Sequence, residues 1–398
     1  MTPPLPLDEA QRRLLDAVEP LPPERVAIER ALGRYTAEAI TAARTQPAAD
    51  LSAMDGYAMP EGDPEPWRVV GESAAGRPFP GTLGPGEAVR ISTGALMPAG
   101  AGAVLLQENA ARDGDGLTLN GEGGPSARHV RRAGFDFRSG DVLLRAGARI
   151  GPAQLALAIA GGRAEVAAHP LPTLAVIDSG DELAADPAAC AAHQIPASNG
   201  AMLAAMATSH ADHVRRIGPV PDKLNALLAA FDDSADADVI VTSGGASVGD
   251  HDLVRPALEA WGATIDFWRV AMKPGKPILV ARRGPQWILG LPGNPVSSYV
   301  TAFLFLLPLL RKMSGAARYL PRRVTARTLA ALPAGGSRLE LVRAGLLEGT
   351  VAPLGQQDSS AIKALATADA LIERPIGAPP VPEGGEVLVY LLENGGIA

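Results

Sequence analysis

Residues 238–250 read DVIVTSGGASVGD. A β-branched run at 238–242 enters a polar, glycine-rich stretch, and a helical pattern resumes at 252–260, so the segment spells strand, loop and helix. The same unit recurs on both sides. Upstream, a strand at 174–177 is followed by DSGDE at 178–182 and a helix near 200–208. A strand at 214–217 is then followed by a helix at 222–231. Downstream, strands are expected at 264–270, 277–281 and 286–290, after which LPGNP at 291–295 feeds a long helix from Pro295 to about Lys312. Asn294 suits the cap position of that helix and Pro295 its first turn. Strands alternating with helices of about ten residues predict a parallel, doubly wound α/β unit over 171–317.

The flanking sequence has another texture. A short helix is expected at 8–18, with Ala10, Leu14, Ala17 and Val18 at helical spacing behind Asp8. From 50 to 140, short apolar runs at 67–70, 88–91, 103–106 and 116–119 are cut by Gly and Pro, which predicts a β-rich lobe. A helix opened by Pro152 and closed by Gly161-Gly162 is expected to pack back on the N-terminal helix, making one discontinuous domain from 1–49 and 141–170. After a Gly/Ala/Arg-rich connection, 318–398 returns to short strands and forms a C-terminal β domain. Together these predict an α/β multidomain protein whose doubly wound unit is flanked by β-rich lobes and a barrel-like C-terminal domain.

At 398 residues, with roughly 150 per domain, two to four domains are expected. The net charge of -7 and an aromatic content of 4% exclude a broad basic footprint or stacking platform for nucleic acid. All but five of the 36 basic residues are arginine, and two of the five lysines, Lys273 and Lys276, stand three apart. A single cysteine, Cys190, excludes an internal disulfide and a thiolate metal cluster. The opening residues lack the charged and apolar regions of a signal peptide, and the longest apolar run, 302–310, is well short of the ~20 residues of a membrane span. A cytoplasmic protein is expected.

In open α/β sheets, ligands bind beyond the carboxyl ends of the strands. Three loops there are rich in Gly and polar residues, at 178–182, 243–250 and 291–295. Consecutive glycines expose backbone N–H groups and admit a phosphate, and a following helix N-terminus favours its charge. KPGKP at 273–277 holds two ammonium groups on a proline-stiffened turn, a fixed clamp for an anion. Asp181, Glu182, Asp222, Asp250 and Asp252 fall at strand ends or helix starts. Carboxylates beside bound phosphates need a cation between them, so the pattern suggests magnesium, although Asp222 and Asp252 also suit helix N-termini. GASVG at 245–249 matches the nucleophile elbow of serine hydrolases, but that arrangement needs a later His, and none follows His251. His210-Ala211-Asp212-His213 reads as a helix-to-strand link, because no further metal ligand lies nearby.

Taken together, SAMDGYA at 52–58, RISTGALMPAGAGAV at 90–104, SGDEL at 179–183, SGGASVGD at 243–250, KPGKP at 273–277 and GLPGNPVS at 290–297 resemble the molybdopterin molybdenumtransferase (MoeA) family, itself similar to the E domain of gephyrin. The resemblance runs nearly end to end. It implies an elongated four-domain homodimer with a MoaB/MogA-like molybdopterin-binding α/β unit, in which 1–49 and 141–170 form a linker and dimerisation domain. The active cleft would lie between the α/β unit of one subunit and lobes of the other. The implied reaction inserts molybdate into adenylylated molybdopterin and releases AMP, with Mg2+ as cofactor. Protein partners would be a molybdopterin adenylyltransferase or recipient molybdoenzymes.

Carried over by matched motif, Asp55, Thr93, Asp136, Glu182, Lys273 and Lys276 are the implied catalytic residues. Gly244, Gly245, Ser247 and Gly249, with Pro292 and Pro295, are the implied phosphate cradle, and Arg343 and Ser359 the polar residues lent by the last domain. Asp222 and Asp252 are the implied magnesium ligands. Two positions depart from the family pattern: a carboxylate is gained at Asp178, where members carry Ser, and lost at Ala197, where they carry Asp. A molybdopterin-binding scaffold or carrier without transferase activity is the alternative reading. A bare adenylyltransferase is disfavoured by the additional lobes.

Overall fold

The computed structural model describes residues 4–244 and 253–392. Its centre is a six-stranded sheet ordered Val214–Val220, Leu174–Ser179, Val239–Ser243, Gln286–Leu291, Pro277–Arg283 and Thr264–Arg269. The first four strands are parallel and the last two are antiparallel additions. The expectation of a wholly parallel sheet is therefore corrected. Arg283 pairs directly with Gln286, leaving only Gly284 and Pro285 to turn the chain, and a two-residue turn cannot make the crossover that parallel strands require.

Alternate residues of the central strands enter two cores, as a doubly wound sheet demands. Leu174, Val176, Val239 and Val241 face the helices Asn199–Ala207 and Pro295–Met313. Ala175, Ile177 and Ile240 face Leu224–Asp232 and Val254–Ala260. Pro295–Met313 is long and apolar enough to span a membrane, yet 89% of it is buried inside the protein, so it serves as a core helix. A π-helical segment, Ala302–Leu306, interrupts it just before Pro308.

The N-terminal helix, Leu7–Asp16, does not pack on the helix Pro152–Ala160 as expected. Its Ala10, Leu14 and Leu15 join the core around Pro295–Met313, with Ala17 left exposed, and Gln11 Nε2 donates to Leu304 O at 2.8 Å. Proline at 308 has no N–H for that i−4 carbonyl, so a side chain from the other end of the sequence serves it. Pro6 stands at the cap of this helix and Asp8 lies within its first turn, where a carboxylate suits the helix dipole.

Strands Glu24–Ala27 and Glu165–His169 pair, as do Ile40–Thr41 and Val142–Leu144, so segments before and after the lobe share one small core with Ala158 of the 152–160 helix. The lobe is a six-stranded curled sheet. The C-terminal unit is a closed five-strand barrel, in which Leu339–Leu347 pairs with both Thr350–Pro353 and Ala370–Arg374. Met272 and Lys273 pair in parallel with Leu339 and Glu340, tying the barrel to the α/β unit.

His210 is buried against Arg311, with Arg311 Nη2 3.3 Å from His210 Nε2. Burial first, then the charges of Arg311 and Arg149, push its pKa down to about 3. The unfolded chain takes up a proton near pH 6.5 that the folded chain refuses, so this contribution to stability is complete above pH 6.5 and is lost as pH falls toward 3. The unfolding free energy from denaturant titrations should drop between pH 7 and 5, by up to about 1.4 kcal/mol per pH unit below 6.5. In His210→Gln that part of the slope should vanish.

Candidate active site

The carboxyl ends of the parallel strands bring the glycine-rich loops together. A Cβ at Gly293 would lie 3.7 Å from Gly244 Cα, so these two loops are in van der Waals contact. Gly244 N donates to Leu291 O at 3.2 Å, and Asn199 Nδ2 donates to Gly293 O at 2.6 Å. The third loop approaches Gly244 through Ser179, whose O would lie 2.6 Å from a Cβ there, and it is tied to the end of the strand Val214–Val220 by Gly180 N donating to Val220 O and by Asp181 Oδ1 accepting from Asp222 N at 3.1 Å. Burial raises the Asp222 pKa, and the neighbouring charges of Asp181 and Glu182 raise it further against a hydrogen bond that lowers it. Three carboxylates thus crowd one edge of the site.

Asp178 ends the strand Leu174–Ser179 and is only 3% exposed. Its Oδ2 lies 3.8 Å from Arg216, and Oδ1 has no hydrogen-bond partner. Burial is the largest influence and raises its pKa, against the nearby Arg216 charge and the Gly200 N–H. Gly200, in the first turn of Asn199–Ala207, is required by this contact, since a Cβ there would sit 2.0 Å from Asp178 Oδ2. Ser179 Oγ and Thr242 Oγ1 on adjacent strand tips, with Ser298 Oγ and Thr301 Oγ1 on the long helix, are also buried without partners. Such unpartnered atoms are rare in folded proteins.

The KPGKP turn packs on the same long helix, where a Cβ at Gly275 would meet Thr301 Oγ1 at 2.6 Å. Lys273 and Lys276 are exposed, and Lys273 Nζ lies 3.7 Å from Glu340 Oε1 of the barrel. The barrel also reaches the helix N-terminus. Ser359 O accepts from Val296 N at 3.1 Å, and Ser359 Oγ accepts from Asn294 Nδ2 at 3.0 Å. Asn294 occupies the cap position but its side chain makes no capping bond, and its Nδ2 reaches Ser359 instead.

The lobe motifs form a separate corner. Ser52 N donates to Ala95 O and Ser52 O accepts from Gly94 N, and Asp55 Oδ1 accepts from Thr93 N at 2.7 Å. That bond to Thr93 is the main reason the exposed Asp55 carboxyl is held below its ordinary range. Asp136 is exposed beside Phe135, its N–H donating to Gln46 O. Among the described residues, no hydrogen bond or ion pair connects Asp55, Thr93 or Asp136 to the strand-tip loops. A cavity of about 640 Å³ in the lobe is lined by Arg68, Arg90 and Arg112 against Glu72, Glu87 and Asp115, so its charges balance locally.

Residues 5–162 match the MoeA N-terminal region (domains I and II), 175–312 a probable molybdopterin-binding domain, and 325–392 the MoeA C-terminal region (domain IV). The chain belongs to the MoeA family. It is 35% identical over 316 residues to the molybdopterin molybdenumtransferase of Haemophilus influenzae, covering 78% of each chain. It is 33% identical over 420 residues to that of Bacillus subtilis, covering 98% of this chain and 95% of the relative. A crystal structure of the molybdopterin biosynthesis MoeA protein of Pyrococcus horikoshii OT3 superposes with a TM-score of 0.82 at 25% identity, covering 98% of this chain and 100% of that one.

In this MoeA-family chain, the strand-tip cluster brings together Gly244, Glu182, Asp222, Pro295 and Ser359, with Pro292 in the 291–295 loop. Lys273 and Lys276 stand on the adjoining turn. Gly245, Ser247, Gly249 and Asp252 lie outside the described residues, as do Asp250 and the GASVG stretch. Arg343 is placed differently from the carried-over expectation. It is 1% exposed, and its Nη2 donates to the carbonyls of Gln356 and Asp358 at 2.9 Å, so it shapes the loop that presents Ser359 and does not itself face the site. Gly200 carries no sequence signal beyond standing after Ser198-Asn199 at an expected helix start.

The Asp178–Gly200 contact is testable. Gly→Ala inside a helix ordinarily gains up to about 1 kcal/mol, yet Gly200→Ala should lower the melting temperature. In an Asp178→Ser background the same change should be neutral or favourable. A double-mutant cycle should give a coupling of roughly 0.5–3 kcal/mol, and additive effects would show that the two residues do not press on each other.

Proposed function

We infer that this chain is a molybdopterin molybdenumtransferase of molybdenum cofactor biosynthesis, which inserts molybdate into adenylylated molybdopterin and releases AMP. The observation that carries the reading is the bond from Gly244 N to Leu291 O, which brings the glycine loop beside the N-terminus of the long helix, with the lysine turn packed on that helix's flank. Backbone N–H groups and a helix N-terminus suit the pterin phosphate and pyrophosphate bridge. Lys273 and Lys276 offset the repulsion between that bridge and molybdate, so that an oxygen ligand can exchange for dithiolene sulfur.

Magnesium fits the acidic edge. The raised Asp222 carboxyl and the converging charges of Asp181 and Glu182 are relieved by a hard cation, and their oxygens are the donors it prefers. Among the described residues no three acids already converge as a ligand set, so Asp222, with Asp252 outside the described residues, would hold the ion. Bound there, it would supply further charge neutralisation at the phosphoanhydride. The remaining acids orient the nucleophile.

Asp55, Thr93 and Asp136 take part through a second copy of the chain. The helix Pro152–Ala160, sequence PAQLALAIA, buries only Ala158, and Ile159 and the nearby Val142 are 50% and 58% exposed. An apolar face of that kind supports a homodimer that closes the cleft across two subunits. The dimer works in the cytoplasm and hands product to molybdoenzymes, with an adenylyltransferase as supplier.

Purified protein with adenylylated molybdopterin, molybdate and magnesium should release AMP only when molybdate is present. Lys276→Ala and Asp55→Ala should each lower the rate by about 10²-fold or more. Mixing the two inactive variants should restore about a quarter of wild-type activity, because half of the dimers then carry one intact composite site. Tight molybdopterin binding without AMP release would establish the carrier reading, and no recovery on mixing would show that both residues act within one chain.

A further inference from the structure

A second pocket, of about 280 Å³, opens in the C-terminal barrel. Leu332, Pro333, Val342 and Pro353 give it an apolar wall, fixed by the reciprocal backbone bonds between Leu332 and Val381. One cation lines it. Arg374 is 5% exposed, and its Nη2 donates to the carbonyls of Pro333 and Pro379 at 2.7 Å each. Its Nε and Nη1 make no hydrogen bond, and it makes no ion pair, among the described residues.

The missing partner is conspicuous because a carboxylate stands across from it. Glu340 is the register partner of Arg374 on the neighbouring strand and lines the same pocket, yet it points its Oε1 to Lys273 of the α/β unit. Gln357, also in the lining, is spent on Arg343 and Leu354. A guanidinium that lines an apolar pocket, gives its hydrogen bonds only to neutral carbonyls and has the facing carboxylate turned to Lys273 is fitted to pair with an added anion. The pocket's size and apolar walls suit a small ligand. We propose that this pocket binds a small aliphatic carboxylate, its anionic end on Arg374 and its hydrocarbon body against Leu332, Val342 and Pro353.

The probe is 4-methylpentanoate, titrated into the full chain carrying 13C-labelled Leu and Val methyls, with 4-methylpentanamide as its uncharged counterpart. The acid should shift the Leu332 and Val342 methyls saturably, and the amide should bind at least about tenfold more weakly, because the charge-assisted bond is lost. Ala331→Phe fills the pocket from an exposed position and should abolish the shifts in an otherwise unchanged spectrum. Arg374→Gln should do the same. Should Arg374→Gln fail to fold, the acid–amide comparison and Ala331→Phe decide alone. Absence of saturable shifts, equal binding of acid and amide, or binding that survives Ala331→Phe would each overturn the proposal.

Discussion

The carbonyl of Leu304 has no α-helical donor, because the residue four positions on is Pro308, and Gln11 supplies one from the N-terminal helix. Around that bond the helix Pro295–Met313 is covered on every side. The sheet lies against one face, Ala10, Leu14 and Leu15 against another, and Leu341, Leu365, Leu371 and Tyr390 of the barrel against a third. Its N-terminus and flank carry the glycine loop, the Ser359 contact and the lysine turn. The site is thus assembled on an element that cannot shift without disturbing the core that sheet, N-terminal helix and barrel share, which suits a reaction that depends on holding two anions in fixed positions.

Charge placement in the site has two halves. Donors come from glycine backbone and lysines, whereas the acidic edge of Asp181, Glu182 and Asp222 repels itself. Asp178 belongs to neither half. It is sealed against Gly200 at the start of Asn199–Ala207.

Much of this was legible in order and spacing. The strands and helices of 171–317 follow from hydrophobic period, and the loops that meet at the sheet's edge are those richest in Gly. What sequence could not show is where polar atoms find partners. Asn294 fits every rule for a cap, and the barrel's Ser359 claims its amide instead. Arg343 has the chemistry of an anion ligand, and burial turns it inward to two carbonyls. The N-terminal helix carries an amphipathic pattern that says it must be covered, but not by what, and its cover lies almost three hundred residues away. The antiparallel end of the sheet turned on two residues, Gly284 and Pro285, whose effect overrode the repeating pattern.

The Gln11–Leu304 bond spans 293 positions of the chain. During synthesis at about 5–20 residues per second, the N-terminal helix leaves the ribosome roughly 15–60 s before its partner exists. For that time Leu14 and Leu15 have no native cover, and the Pro295–Met313 segment in turn emerges before the barrel strands that seal it. Biogenesis of this protein is therefore a waiting problem: its first helix is made early, used late, and has to be kept from other apolar surfaces in the interval.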